Sequence, residues 1–427
     1  MTEPTKRSFW KALISWKMLV MLALGFISGF PFYVVKDVLK AWMTDSNLDL
    51  GTIGLFSGVS LPYTWKFIWS PFMDRYVPPF LGRRRGWILI SQIGLVGLIA
   101  LLGQWDPATS LWWIAITALA VSFFSASQDI VLDAFRREYL QDEELGLGTA
   151  IWSNAWRLGM YVSVGVAFLS ADSGIGWSQI HLFLAAMMVI GIVTTLLVPE
   201  PKVGVLPPRS LQEAVVAPFL DFFSRRGVFL ILVFILFYKL GDNIASAMNI
   251  PFILRQGFTK TEYFVIVKGV GMLCFFGGAL LGGAALVRMR ISQALWIFGI
   301  LQAVSTVGFS ILVFYDHQSV FWADYRLMLL SVVVCFELLA SGLGQSAYAT
   351  YIAIQTNRKY TATQFALLTS LMAVPGTIGA MASGYMAQVY GWSFFYYVCA
   401  LAAVPGLLVL LKIAPWSATN KELSEVE

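Results

Sequence analysis

The chain has 427 residues, 58% of them hydrophobic and 12% charged, with a mean hydropathy of +0.73. Soluble domains carry about 25% charged residues and cannot hide this much apolar surface, so the composition excludes a soluble protein. The net charge of +5 lies in short segments between apolar runs, where it reports membrane topology and gives no sign of nucleic-acid binding. Two histidines argue against a histidine-rich metal site, and the three cysteines (Cys274, Cys335, Cys399) lie in apolar runs and form no disulfide framework.

A membrane-spanning helix needs about 20 apolar residues. Such windows predict six spans in the first part of the chain, at 16–35, 51–72, 86–104, 109–133, 148–171 and 177–198. Six more follow at 227–250, 262–284, 292–314, 326–354, 361–387 and 391–413. The basic N-terminal stretch (Lys6, Arg7, Lys11, Lys17) leads into the first span with no evident small-residue cleavage site, so that span is expected to stay uncleaved. The longest polar gap, 199–226, is rich in proline and charge and contains an amphipathic piece. It divides the spans six and six, the plan of transporters built from two halves. The expected organisation is therefore a six-helix half at 1–198, a cytoplasmic linker at 199–226, a second half at 227–413 and a cytoplasmic tail at 414–427. With the N-terminus inside, 20 of the 29 lysines and arginines fall on the cytoplasmic side, 5 on the far side (Lys36, Lys40, Arg255, Lys260, Arg326), and the rest within spans. That bias predicts both termini in the cytoplasm.

Taken in chain order, the first knot of charge is SPFMDRYVPPFLGRRRGW, Ser70–Trp87, between spans 2 and 3. The loop between spans 8 and 9 echoes it through Arg288 and Arg290, a weak trace of an internal repeat. Charges inside the spans matter most, because a central Asp, Lys or Arg costs about 2.5–3.5 kcal/mol even on the mild insertion scale. Span 4 holds Gln128, Asp129 and, one turn on, Asp133; Asp129 reads as a proton site or substrate contact, or else as half of a structural ion pair. Span 5 holds Arg157 with Tyr161 one turn on; arginine suits carboxylate recognition, and pairing with Asp129 is the alternative. Span 7 holds Lys239 and Asp242, spaced for an i,i+3 pair, with Asn243 beside them. Lys268 in span 8 and Glu337 in span 10 complete the set. Glu337 is a candidate proton carrier, or an acid that neutralises Lys239 or Lys268. Pro375-Gly376 is expected to kink span 11. The glycine pairs Gly25/Gly29, Gly54/Gly58 and Gly278/Gly282 have the spacing that lets helices approach closely. Some of the abundant aromatics belong to membrane-interface belts, and any that face a cavity are placed to stack on sugar rings.

No GxxxxGK[ST] loop and no repeated filter-like segment occur, which argues against an ATP-driven pump or a channel. An ion-coupled secondary transporter fits best, with no cofactor and a proton gradient as its energy source.

The Asp-Arg and Gly-Arg-Arg ends of the loop between spans 2 and 3 resemble the Asp-Arg-x-Gly-Arg-Arg signature of the major facilitator superfamily, with Asp74 and Gly82 eight apart instead of three. FIWSPFMDRYVPPFLGRRRGW, SASQDIVLDAF, VPEP, LQEAVVAPFLDFF, FYKLGDN and TATQFALLTSL together resemble the AmpG family of muropeptide permeases, across both halves and nearly the whole chain. The resemblance implies an all-α polytopic membrane protein with twelve transmembrane helices in two six-helix halves, the major facilitator fold. It implies a proton-driven, non-enzymatic importer in a bacterial inner membrane. Its cargo would be N-acetylglucosaminyl-1,6-anhydro-N-acetylmuramyl peptides for peptidoglycan recycling, in some bacteria linked to β-lactamase induction. By position and side-chain chemistry, Arg157, Tyr161, Lys239, Asn243, Lys268 and Gln128 are candidates to meet this anhydromuropeptide, and Asp129, Glu337 or Asp242 to hold the proton. By resemblance, Asp74, Arg75 and Arg84 form a cytoplasmic gate with Asp133. The expected partners are the cargo and the lipid bilayer, with no nucleic acid, and the expected state is a monomer. The alternatives are a same-fold importer of a siderophore, peptide or acyl-CoA-like solute, and a non-transporting membrane sensor.

Overall fold

The computed structural model describes residues 15–201, 223–224, 227–314, 320–355 and 361–416, and all regular structure among them is helical. Most of the linker and tail predicted at 199–226 and 414–427 lies outside the described residues, as do the side chains of Asp74 and of residues 361–373.

Nine helical runs among the described residues are long and apolar enough to cross a membrane. One of them, Val374–Ile413, contains two spans, because Gly391 has left-handed dihedrals (φ 80°) that end one helix and start the next. Two further spans are helices of other character. Span 5 is one helix, Asp142–Asp172, made more polar by Asn154 and Arg157. Span 2 is broken into short α and 3-10 pieces between Leu50 and Arg75, with prolines opening two of them at Leu61 and Ser70. The others are span 1 (Trp16–Asp45), span 3 (Arg83–Leu102), span 4 (Leu111–Tyr139), span 6 (Trp177–Leu197), span 7 (Val228–Arg255), span 8 (Lys260–Ala285), span 9 (Ile291–Phe314) and span 10 (Val320–Ile354). Spans 11 and 12 run over 361–390 and 392–413. The twelve-helix architecture read from the sequence is thus the one observed.

Two ends differ from the sequence reading. Span 1 continues ten residues past its predicted end, so Lys36, Asp37 and Lys40 are helical and not in a loop. Asp37 and Lys40 are each only 5% exposed, so the hydropathy window stopped at charges that the fold buries. Helical dihedrals also run on through Pro375, and the break in that helix falls at Gly391.

The chain forms two compact units, one of residues 1–46 and 59–207, the other of 47–58 and 208–427. In the first, spans 1 and 5 cross where side chains are absent. A Cβ on Gly25 would stand 2.9 Å from the Trp152 carbonyl oxygen, and one on Gly29 would overlap that of Trp156. In the second, Gly278 and Gly282 bring span 8 against Leu339 and Leu343 of span 10. The glycine spacing seen in the sequence therefore marks real helix crossings. The second core holds the stacked rings of Tyr238 and Tyr348, 5.4 Å apart, whose hydroxyls donate to the carbonyls of Leu295 (3.0 Å) and Ile235 (2.7 Å). Those bonds let two phenols be buried and fix the helix turn that presents Lys239.

Candidate functional site

In the first unit, Asp129 projects from span 4 and accepts a hydrogen bond from Ser28 Oγ of span 1 at 2.7 Å. The charges acting on it are Lys66, from the broken span 2, and Asp133. Lys66 is a site residue that the sequence reading left without a role. Its signal was a lone cation inside an otherwise apolar window.

Gln128 sits beside Asp129 but is fully buried. Its Nε2 donates to the Ile27 carbonyl at 3.3 Å. Four residues later Pro31 has no N–H to offer that carbonyl. Gln128 Nε2 thus replaces the helix bond that Pro31 removes. The chain then relaxes into a π-helical turn at Val34–Val38.

Around this turn lies an aromatic cluster. Phe32 meets Tyr63 edge to face at 4.8 Å, and Trp156 stands 5.6 Å from Tyr33 and 6.1 Å from Phe32. Lys36 Nζ is 5.3 and 5.7 Å from the centres of the Phe32 and Tyr33 rings. Arg157 acts electrostatically on both Tyr33 and Tyr161. Phe32, Tyr33, Tyr63, Trp156, Arg157 and Tyr161 are all half-buried. A half-exposed arginine within an apolar span faces water or polar ligand in preference to lipid. Flat rings beside a guanidinium offer stacking for sugar faces and a fork for a carboxylate.

The second unit carries the densest charge. Lys239 Nζ donates to Asp242 Oδ2 (3.1 Å), Gln302 Oε1 (2.8 Å) and the carbonyl and hydroxyl of Ser341 (3.1 and 3.2 Å). Ser341 Oγ in turn donates to Asp242 Oδ2 at 2.8 Å. The predicted i,i+3 pair is therefore formed and enclosed, its side chains 7% and 10% exposed. Glu337 of span 10 faces both partners. Beside them is a cavity of about 170 Å³ lined by Lys239, Asp242, Asn243, Asn249, Glu337 and Gln345 among others. Lys268 is half-buried in a π-helical turn of span 8, Phe264–Val270, and does not line this cavity.

The arginines of the loop between spans 2 and 3 are distributed differently from expectation. Arg84 forms a two-pronged pair with Glu138 at the end of span 4 (2.9 and 2.6 Å), while Asp133 pairs with Arg136 at 3.2 Å. Glu200 accepts from the backbone N–H groups of Arg84 (2.7 Å) and Arg85 (3.0 Å), where an anion complements the start of a helix. Gly82, at φ 85°, leaves the room that carboxylate needs. Arg85 donates to the carbonyls of Thr195 and Leu196 at the end of span 6. Arg75 is exposed. The Asp74 side chain lies outside the described residues.

Twelve helical spans with a cluster of charged side chains in each unit define a multi-pass membrane protein of the solute-transporter class. The model of the Major Facilitator Superfamily matches residues 21–380. The chain is 44% identical over 393 residues to the Anhydromuropeptide permease of Escherichia coli K12, covering 92% of this chain and 78% of that one. It is 28% identical over 410 residues to the Putative transporter AmpG 4 of Rickettsia felis, covering 94% and 97%. Among solved structures, the nucleoside transporter NupG aligns with a TM-score of 0.70 at 14% identity (93% and 98% covered). A D-xylose-proton symporter aligns at 0.68 and 11% (98% and 100% covered). These two likenesses concern the fold alone. The chain belongs to the major facilitator superfamily, within the AmpG family of muropeptide permeases.

Proposed function

We propose that the chain imports anhydromuropeptides across the bacterial inner membrane, driven by the proton gradient, and so serves peptidoglycan recycling. The observation that carries this reading is the 44% identity, over 92% of the chain, to a relative named for that cargo. The first unit supports it chemically. The rings of Phe32, Tyr33, Tyr63 and Trp156 suit the flat faces of the two sugars, and Arg157 with Tyr161 suits a stem-peptide carboxylate. Asn243, Lys239 and Lys268 remain cargo candidates in the second unit. The acids available for the coupling proton are Asp129, Asp242 and Glu337. Asp74, Arg75, Arg84 and Asp133 are read as parts of a cytoplasmic gate. The charge bias supports a cytoplasmic position for both termini, and the proposed working unit is a monomer that binds no nucleic acid and uses no cofactor.

The test is uptake of labelled anhydromuropeptide by the purified chain in proteoliposomes with an imposed proton gradient. Accumulation that collapses with a protonophore is expected. Uptake indifferent to the protonophore removes the coupling, and no uptake in any mode removes the cargo.

A further inference from the structure

We propose that Glu337 is the group that carries the coupling proton, and that the Lys239–Asp242 pair is a fixed counter-charge that sets when it does so. The proposal rests on the transport reading and narrows its three candidate acids to one.

Two carboxyl groups and one ammonium converge on the cavity of about 170 Å³. The ammonium is fully committed. Its N–H bonds are directed at Asp242, Gln302 and Ser341. Asp242 is committed too, because its Oδ2 takes bonds from both Lys239 and Ser341. Its charge is thus met by a cation and a hydroxyl donor at bonding distance. Glu337 is 5% exposed and makes no hydrogen bond or ion pair among the described residues. An unpaired carboxylate so enclosed costs several kcal/mol, and such groups take up a proton instead.

Charge counting gives the same answer. With both acids ionised the cluster carries one excess negative charge. With Glu337 protonated it is neutral. The other titratable groups in electrostatic reach of the two acids are Tyr396 beside Glu337 and Tyr238 and Cys399 beside Asp242, phenols and a thiol that supply no second cation. Two further polar atoms near the acids, Asn249 Oδ1 and Tyr396 Oη, are buried with no hydrogen-bond partner among the described residues. Such atoms are commonly met by water. At about 170 Å³ the cavity is large enough to hold several waters. Release then breaks the Glu337 O–H bond, passes the proton to a cavity water, and leaves a carboxylate that shares Lys239 with Asp242.

Asp129 does not meet these conditions. It accepts a hydrogen bond from Ser28 and has Lys66 as a cation of its own, with Asp133 as the second acid in reach.

The test uses the reconstituted full chain. Glu337→Gln is expected to lose gradient-driven accumulation while exchange of labelled for unlabelled anhydromuropeptide, which needs no net proton movement, continues. Glu337→Asp is expected to regain part of the accumulation. Infrared spectroscopy reads the proton without cargo. A protonated-carboxyl band present at neutral pH should vanish in Glu337→Gln, shift in frequency in Glu337→Asp, and persist in Asp129→Asn, which leaves this cluster intact. Accumulation by Glu337→Gln equal to the parent overturns the proposal, as does a band that survives that substitution. A parent chain that neither accumulates nor exchanges the muropeptide refutes the cargo reading, and the infrared band then decides the proton assignment alone.

Discussion

The two units handle buried charge in opposite ways. In the first, Asp129 has one nearby cation, one hydroxyl donor and partial exposure, and the neighbouring surface is built of rings and a guanidinium. In the second, two acids and one lysine line the same cavity. The first arrangement gives its acid a hydroxyl donor and a cation of its own. The second is out of balance by one charge, and a proton is the smallest thing that restores it.

The strongest way to break this contrast is to remove that lysine. Lys239→Met strands Asp242 and should cost about 3–5 kcal/mol, measured as thermal melting in detergent. Adding Asp242→Leu should recover most of that loss. A single variant that melts like the parent would mean the second unit is not held by this pair. The next test compares the acids directly. At neutral pH, Asp129→Asn should cost about 1–3 kcal/mol, because it weakens the bond with Ser28 and leaves Lys66 without its anion. Glu337→Gln should change stability by less than about 0.5 kcal/mol, since it replaces a neutral group by a neutral group. Equal losses in the two variants would erase the distinction. A smaller effect sharpens the role of the rings. Trp156→Ala should weaken cargo binding roughly tenfold, about 1.4 kcal/mol, and leave the Glu337 infrared band in place.

The smallest effect lies outside the spans. Asp49 caps the first piece of span 2, accepting from the Thr52 amide (2.9 Å) and hydroxyl (2.6 Å). The hydroxyl bond chiefly holds its carboxyl below the ordinary range. The folded form is therefore favoured above the usual carboxylate range, and this contribution fades as pH falls through the lowered value. Asp49→Ala should cost about 1 kcal/mol at neutral pH, and the melting difference from the parent should shrink in acid.

Much of this architecture is legible in the sequence. Hydropathy gives the twelve spans because lipid demands about 20 apolar residues each time. The Lys239–Asp242 pair is legible because both partners lie on one helix turn. What the sequence conceals are partners far apart in the chain. Arg84 and Glu138 are 54 residues apart, and Arg84 and Glu200 are 116 apart. Lys66 lies near Asp129 only because span 2 is broken. The bond from Gln128 to the Ile27 carbonyl makes sense only beside the missing Pro31 N–H. Span 1 was cut short at Lys36 because hydropathy cannot tell a buried charge from an exposed one.

The contact between Glu200 and the start of span 3 has a mechanical consequence. The polar segment that follows span 6 does not hang from the end of that helix. Its first residues are fastened to the amino end of Arg83–Leu102 by two backbone hydrogen bonds, and Arg85 ties the same point to Thr195 and Leu196. Tension arriving along the chain from beyond Glu200 is received at that anchor and shared between two helices. A pull there acts on them as on one lever, with its handle at Gly82.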